Sequence, residues 1–232
     1  MLRQHEHTQG CSEACQAEIN SREESRRILL HAAEVLDTGP EDDFDCLVKS
    51  ASKASSKPIA LVSFVDDERV WFKSVYDPTN GLGGGRQTPR NNFAFCHHAI
   101  QQDTPLLVED ATKDDRFSSS PLVTGGTVGF YYGLPISVQI GDRRANVGTL
   151  CMIDQKEGTM NECQKAEVNR LAMKVNTLLQ QRIDMPRVIS TCTGSSMASN
   201  PITDSYFFCE LTLFLGPSQA QDWLAGNGVR SS

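Results

Sequence analysis

Apolar residues recur at helical spacing from Glu23, with Ile28, Leu29, Ala32, Ala33, Val35 and Leu36 on one stripe. Asp37-Thr-Gly-Pro40 ends the run, because glycine suits a helix exit and proline cannot continue the hydrogen-bond ladder. A second helix is predicted near Glu41, acidic in its first turn, with Phe44, Leu47, Val48, Ala51 and Ala54 on one face and Cys46 off it. Ile59–Val65 and Val70–Val75 are β-favouring runs separated by the charged turn Asp66-Asp-Glu68, the pattern of a hairpin. Trp71 and Phe72 are consecutive, so they point to opposite faces of the sheet and one of them meets something other than the main core.

Further along, Asn91 or Asn92 is placed to cap a short helix over Phe93–Gln102. Leu106–Glu109 reads as a strand and Asp110–Phe117 as a loop with an Asx turn. Phe130, Tyr132, Leu134, Ile136, Val138 and Ile140 alternate onto one face of a strand. After the turn Gly141–Arg144, the nearly continuous apolar run to Asp154 suits a central strand buried on both faces. Residues 161–183 give the strongest period, with Val168, Leu171, Ala172, Val175, Leu178, Leu179 and Ile183 on a heptad-like stripe that suits the sheet or a second copy.

The expected organisation is a polar leader over 1–22, one domain over 23–184 and a Ser, Thr, Asn and Gly-rich tail over 185–232. Composition narrows the function. Lys and Arg number 22 against 29 Asp and Glu, a net charge of −7 that offers no basic surface to a phosphate backbone, so nucleic acid is not the expected partner. The start of the chain has no apolar run of the signal-peptide kind, and Tyr206–Leu215 is about half of the roughly 20 residues a membrane helix needs. A cytoplasmic protein without a membrane span is expected. Its 8 scattered cysteines then read as reduced thiols, most of them small buried hydrophobes.

His5, His7, Cys11 and Cys15 lack the loop between ligand pairs that a structural zinc site uses. Gly81–Arg86 lacks the Lys-Ser/Thr ending of a phosphate loop and reads as a flexible connection, although Arg86 and Arg90 retain the capacity to hold an anion. Phe93–Ile100 places the Cys96 thiol beside His97 and His98. That set suits a nucleophile, a metal site, a chromophore attachment or a pocket lining. His97 and His98 are about 100° apart on a helix, so only one faces a pocket squarely.

Residues from about 26 to 180 resemble a GAF domain of the bacterial signalling kind. The matching blocks are Leu36-Asp-Thr, Ala60-Leu-Val-Ser-Phe-Val-Asp66 with Trp71-Phe-Lys-Ser74, Thr88-Pro-Arg90, Phe95–Ile100, Asp110–Phe117, Pro121–Gly125, Phe130–Gly133 and Gly148–Asp154, in the family's order. The resemblance implies an α+β fold, an antiparallel β-sheet with helices on one face and a ligand pocket on the other, and a sensory role with dimerisation through terminal helices. It assigns the family's recurring histidine to His98, a hydrogen-bonding group at the pocket edge. Two departures stand out: Gly129 replaces the arginine common before the Phe-Tyr pair, and Tyr132 replaces a small residue.

The candidate ligand-binding residues are Trp71, Arg90, Cys96, His98, Asp110, Arg116, Phe117, Phe130 and Tyr132, with Asp110 expected to pair with Arg116 across the loop. No catalytic residue, metal ligand or particular cofactor is assigned. The expected partners are an unidentified small molecule, a second copy through residues 23–36 and 161–183, and a separate output protein. The alternatives are a redox-active enzyme similar to free methionine sulfoxide reductase and a dimeric scaffold without a ligand. The Cys96-His97 dipeptide is also similar to that of bilin-binding relatives.

Overall fold

The computed structural model describes residues 13–184. The leader's His5, His7 and Cys11, and the whole of 185–232 with its Tyr206–Leu215 segment, lie outside the described residues. Eleven elements follow in order: α1 Glu13–Ala32, α2 Asp42–Ser55, β1 Ile59–Val65, β2 Arg69–Tyr76, β3 Gln87–Pro89, α3 Phe95–Ala99, β4 Leu106–Val108, α4 Pro121–Thr124, β5 Phe130–Ile140, β6 Arg143–Asp154 and α5 Glu162–Asp184. The strands form a six-stranded sheet in the order β3-β2-β1-β6-β5-β4, antiparallel at every pairing.

Two apolar layers lie on the two faces of this sheet. The larger joins α1, α2 and α5 to Ala60, Val62 and Phe64 of β1, to Phe130, Tyr132, Leu134, Ile136, Val138 and Ile140 of β5, and to Leu150 and Met152 of β6. The smaller packs Phe95, Cys96, Ala99, Ile100, Ala111, Phe117 and Val123 against Ile59, Leu61, Tyr131, Cys151 and Ile153. The alternation read along β5 is therefore the observed one. Trp71 packs with the helix layer and Phe72 with the other. Burial of Val168, Leu171, Val175 and Leu179 holds α5 down, each side chain contributing about 1.5–3 kcal/mol relative to exposure.

Several boundaries differ from expectation, each for a physical reason. Helix α1 begins at Glu13, so the expected leader boundary at residue 22 falls inside a helix. Its residues 17–24 are exposed except for a half-buried Glu23, and a helix polar on every side shows no apolar period. It also stops at Ala32, where Glu34 and Asp37 take left-handed φ values of 45° and 57°. Helix α3 is five residues long and capped by Ala94 without a side-chain bond; Asn91 instead accepts from the Phe93 amide at 3.0 Å. The β5–β6 turn is shorter than expected, with Ile140 opposite Arg143. Of the four described side-chain thiols, Cys46 and Cys163 are exposed, and Cys96 and Cys151 are the buried pair.

Candidate functional site

A bulge interrupts the pairing of β2 with β1. Val62 faces Ser74 and Ser63 faces Phe72, which leaves Lys73 as the extra residue. Lys73 and Ser74 consequently both reach the helix layer. The fully buried Lys73 ammonium donates to Thr38 Oγ1 at 2.5 Å and Gly39 O at 2.8 Å, and it pairs with Glu41. Ser74 donates to Asp45 of α2. Beside this bulge lies a groove of about 330 Å³ lined by Asp45, Lys73, Asp77, Gly84, Gly85 and Arg86 among others. At the start of the glycine-rich connection Asp77 accepts from Thr79 N at 3.1 Å and Leu82 N at 2.8 Å, so these two amides are not open to an anion.

The layer under α3 is where the Cys96 thiol and the two imidazoles meet the sheet. Phe95 stacks on Phe117 with centroids 4.0 Å apart and on Tyr131 at 4.9 Å, and His98 meets the edge of Phe117 at 5.0 Å. His98 Nε2 lies 2.8 Å from Asn92 O, the geometry of an Nε2–H donor. His97 points elsewhere, its Nδ1 accepting from Arg90 Nε at 3.1 Å. Burial, followed by the Arg90 and His98 charges, holds the His97 pKa below the ordinary value. One imidazole of the two therefore faces the aromatic stack.

Beneath the rings lies a buried polar group. Cys96 Sγ is 4.0 Å from Cys151 Sγ, Tyr131 Oη donates to Cys96 Sγ at 3.5 Å, and Ser63 Oγ is 3.0 Å from Thr149 Oγ1. Hydrogen bonds from Cys151, Ser63, Thr149 and Tyr131 push the Cys96 pKa down despite burial. Burial and the adjacent Cys96 push Cys151 well up. Gly133 makes the packing possible: a Cβ there would lie 2.3 Å from Tyr131 Oη, so the ring occupies the space a side chain would fill.

The candidate residues divide three ways. Cys96, His98 and Phe117 come together under α3. Phe130, Tyr132 and Trp71 sit with the helix layer instead, Phe130 beneath the Lys57 ammonium at 4.1 Å. Trp71 lies between the Arg69 and Arg86 guanidiniums at 5.3 Å each, and its Nε1 is buried with no hydrogen-bond partner among the described residues.

Arg90, Asp110 and Arg116 stand at the rim with partners of their own. Arg90 donates to Asp66 O at 3.0 Å and pairs with Glu23. The expected Asp110–Arg116 pair is corrected: Arg116 binds Asp114 at 2.7 and 2.9 Å, while Asp110 pairs with Lys113 at 2.6 Å and caps Thr112 N at 3.0 Å. Two successive Asx turns explain this, because each aspartate is closed locally. The Lys113 ammonium, then Thr112, hold the Asp110 carboxyl well below its ordinary range.

Tyr131, Cys151, Ser63 and Thr149 complete the layer and were absent from the sequence-derived set. The signal was available for Tyr131: if Phe130 and Tyr132 face the helices, the residue between them faces α3. Gly129 is also explained, since a Cβ there would lie 2.5 Å from Gln155 O and 2.7 Å from the Lys156 carbonyl carbon, so backbone occupies the place of any side chain. No helix among the described residues is long and apolar enough to cross a membrane, and no cluster of three His, Cys, Asp or Glu side chains suited to a metal occurs among them.

With its long helices on one face of a six-stranded antiparallel sheet and short helices and loops on the other, the chain has the α+β architecture that the resemblance to GAF domains implies. No family model matches it. A curated relative, a cyclic di-GMP phosphodiesterase of Pseudomonas aeruginosa, is 36% identical over 135 residues, covering 58% of this chain. The chain spans only 22% of that relative's length. Among solved structures, the GAF domain of an Acinetobacter phosphoenolpyruvate-protein phosphotransferase is similar at 15% identity and a TM-score of 0.47, covering 69% of this chain and 92% of its own. The type II free methionine-R-sulfoxide reductase of Thermoplasma acidophilum is similar at 8% identity and a TM-score of 0.46, covering 65% and 94%. Likeness at that level says nothing of what this chain binds.

Proposed function

We propose that this chain is a sensory module which holds a small molecule against the α3 face of its sheet and passes the bound state on through its long helices. The observation that carries this reading is the make-up of that face. Stacked Phe95, Phe117 and Tyr131 rings lie over two thiols and a hydroxyl pair, the Tyr131 hydroxyl donating to one of the thiols, with His98 at the edge. An apolar wall with a few convergent polar groups is the usual chemistry of a small-molecule site.

The cover supports the same reading. It consists of a five-residue helix, a four-residue helix and turns, a kind of structure that opens at lower free energy than long packed helices. The preferred ligand is planar and neutral, able to replace Phe117 in the stack and to donate a hydrogen bond to His98 Nδ1. A ligand of that shape suits the walls better than an anion, because Arg90 and Arg116 are already paired. The segment similarity to a cyclic di-GMP phosphodiesterase makes an enzyme of cyclic di-GMP turnover the preferred class of output partner.

The test is thermal unfolding of the protein across a metabolite panel, with native mass spectra of the same samples. A ligand that raises the midpoint in the unmutated chain and much less in His98→Ala supports the reading. A panel without any shift or bound mass counts against it.

A further inference from the structure

Two thiols from elements 55 residues apart meet at the centre of the α3 layer, Cys96 Sγ and Cys151 Sγ being 4.0 Å apart. A disulfide needs about 2.05 Å between sulfurs, so closing the remainder asks for side-chain rotation and a small approach of α3 to β6. The pair is not equivalent. Cys96 stands in α3, is 8% exposed and accepts from Tyr131 Oη. Cys151 lies in the middle of β6, fully buried and paired in register with Leu61 and Gly133. The Ser63 and Thr149 hydroxyls sit two residues along the ladder, on the same face.

We infer that Cys96 and Cys151 are a reversible dithiol oxidised by a hydroperoxide, Cys96 as the attacking thiol and Cys151 as the resolving one. The Cys96 thiolate attacks the outer peroxide oxygen, forming an S–O bond as the O–O bond breaks, and the alcohol or water leaves with the thiol's proton. Cys151 sulfur then attacks Cys96 sulfur. The S–S bond forms, the S–O bond breaks, and hydroxide departs with the Cys151 proton as water. Overall two thiols and one hydroperoxide give a disulfide, an alcohol and water, and a small dithiol reverses the change by exchange. The hydrogen bonds that lower the Cys96 pKa and the burial that raises that of Cys151 give the same order of attack. The disulfide would staple the short helix to the central strand and fix the cover in one position. This inference is independent of ligand binding.

Trypsin isolates the two residues: the peptide 91–113 contains Cys96 as its sole cysteine and 145–156 contains Cys151 as its sole cysteine. The reduced full chain is treated with hydrogen peroxide, the remaining thiols are alkylated in denaturant, and the peptides are mapped. The expected product is 91–113 joined to 145–156, two hydrogens lighter than their sum and absent after dithiothreitol. In Cys151→Ser the joined species is lost and dimedone captures Cys96 as its sulfenic acid. Recovery of both peptides as alkylated thiols while the exposed Cys46 and Cys163 are oxidised would overturn the inference. The unmutated map decides the matter even where the variant fails to fold.

Discussion

Lys73 shows how much a single residue of the Trp-Phe-Lys-Ser block does for the architecture. The bulge in β2 turns it into the helix layer, where its ammonium holds the backbone and side chains of residues 38–41. Burial, followed by the nearby Arg86 charge, lowers its pKa. Lys73→Met keeps most of the volume and removes those bonds, but Glu41 retains Arg182. The expected loss is therefore about 2 kcal/mol, below the value for an orphaned buried charge. Urea unfolding checks it, and a loss within experimental error would mean that the anchor is dispensable. The sequence showed that this block was distinctive without showing why, because a bulge is a property of two strands in register and the pattern of one strand does not contain it. Tyr131 is the opposite case, legible from the alternation of its neighbours.

At the level of elements, the long helices and strands were legible because each repeats its apolar positions over two or more periods. The parts that build the site were less so. Helix α3 has five residues and β3 and β4 three each, too few to display a period. Helix α4 did carry a local signal, Ser120 as an N-cap followed by Pro121 in the first turn.

The link from α1 to the α3 region rests on Glu23, which Arg26 and Arg90 both engage. Burial raises the Glu23 pKa, but the hydrogen bonds from the two arginines outweigh it and hold it at about 2, against 4.5 for the free group. Because the folded pKa is the lower one, the cluster's contribution is full above about pH 4.5 and is lost as pH falls toward about 2. With 38% of the carboxylate side chain exposed, solvent screening reduces that contribution to about 1 kcal/mol. Unfolding at about pH 5 and about pH 3 in the unmutated chain and Glu23→Gln separates this part from the rest of acid denaturation. The variant is expected to lose less stability between the two values, and an identical loss would remove Glu23 from the account.

For the molecule as a whole, the division of labour between the two faces is the main feature: long helices cover one side, and short covered segments with buried thiols and rings cover the other. We propose that the helix side meets a second copy. Ile19 on α1 and Met173 on α5 are 51% and 64% exposed, the large apolar side chains that these helices leave in solvent. We expect a dimer at micromolar concentration by light scattering, with Met173→Glu shifting it toward monomer. A monomer in the unmutated protein would remove the terminal helices as the route of output. The sequence resemblance led to a pocket beneath α3, whereas the structure fills that space with the rings of Phe95, Phe117 and Tyr131, so the site in this account is one that opens for its ligand.

Opening of the site under α3 is read by hydrogen exchange of the protein with and without the compound that gives the largest thermal shift in the panel. Exchange is expected to slow chiefly in the cover between about residues 93 and 128, and His98→Ala to abolish the slowing. Protection confined to the groove beside Lys73 and Arg86, or spread evenly over the fold, would contradict a ligand site under α3.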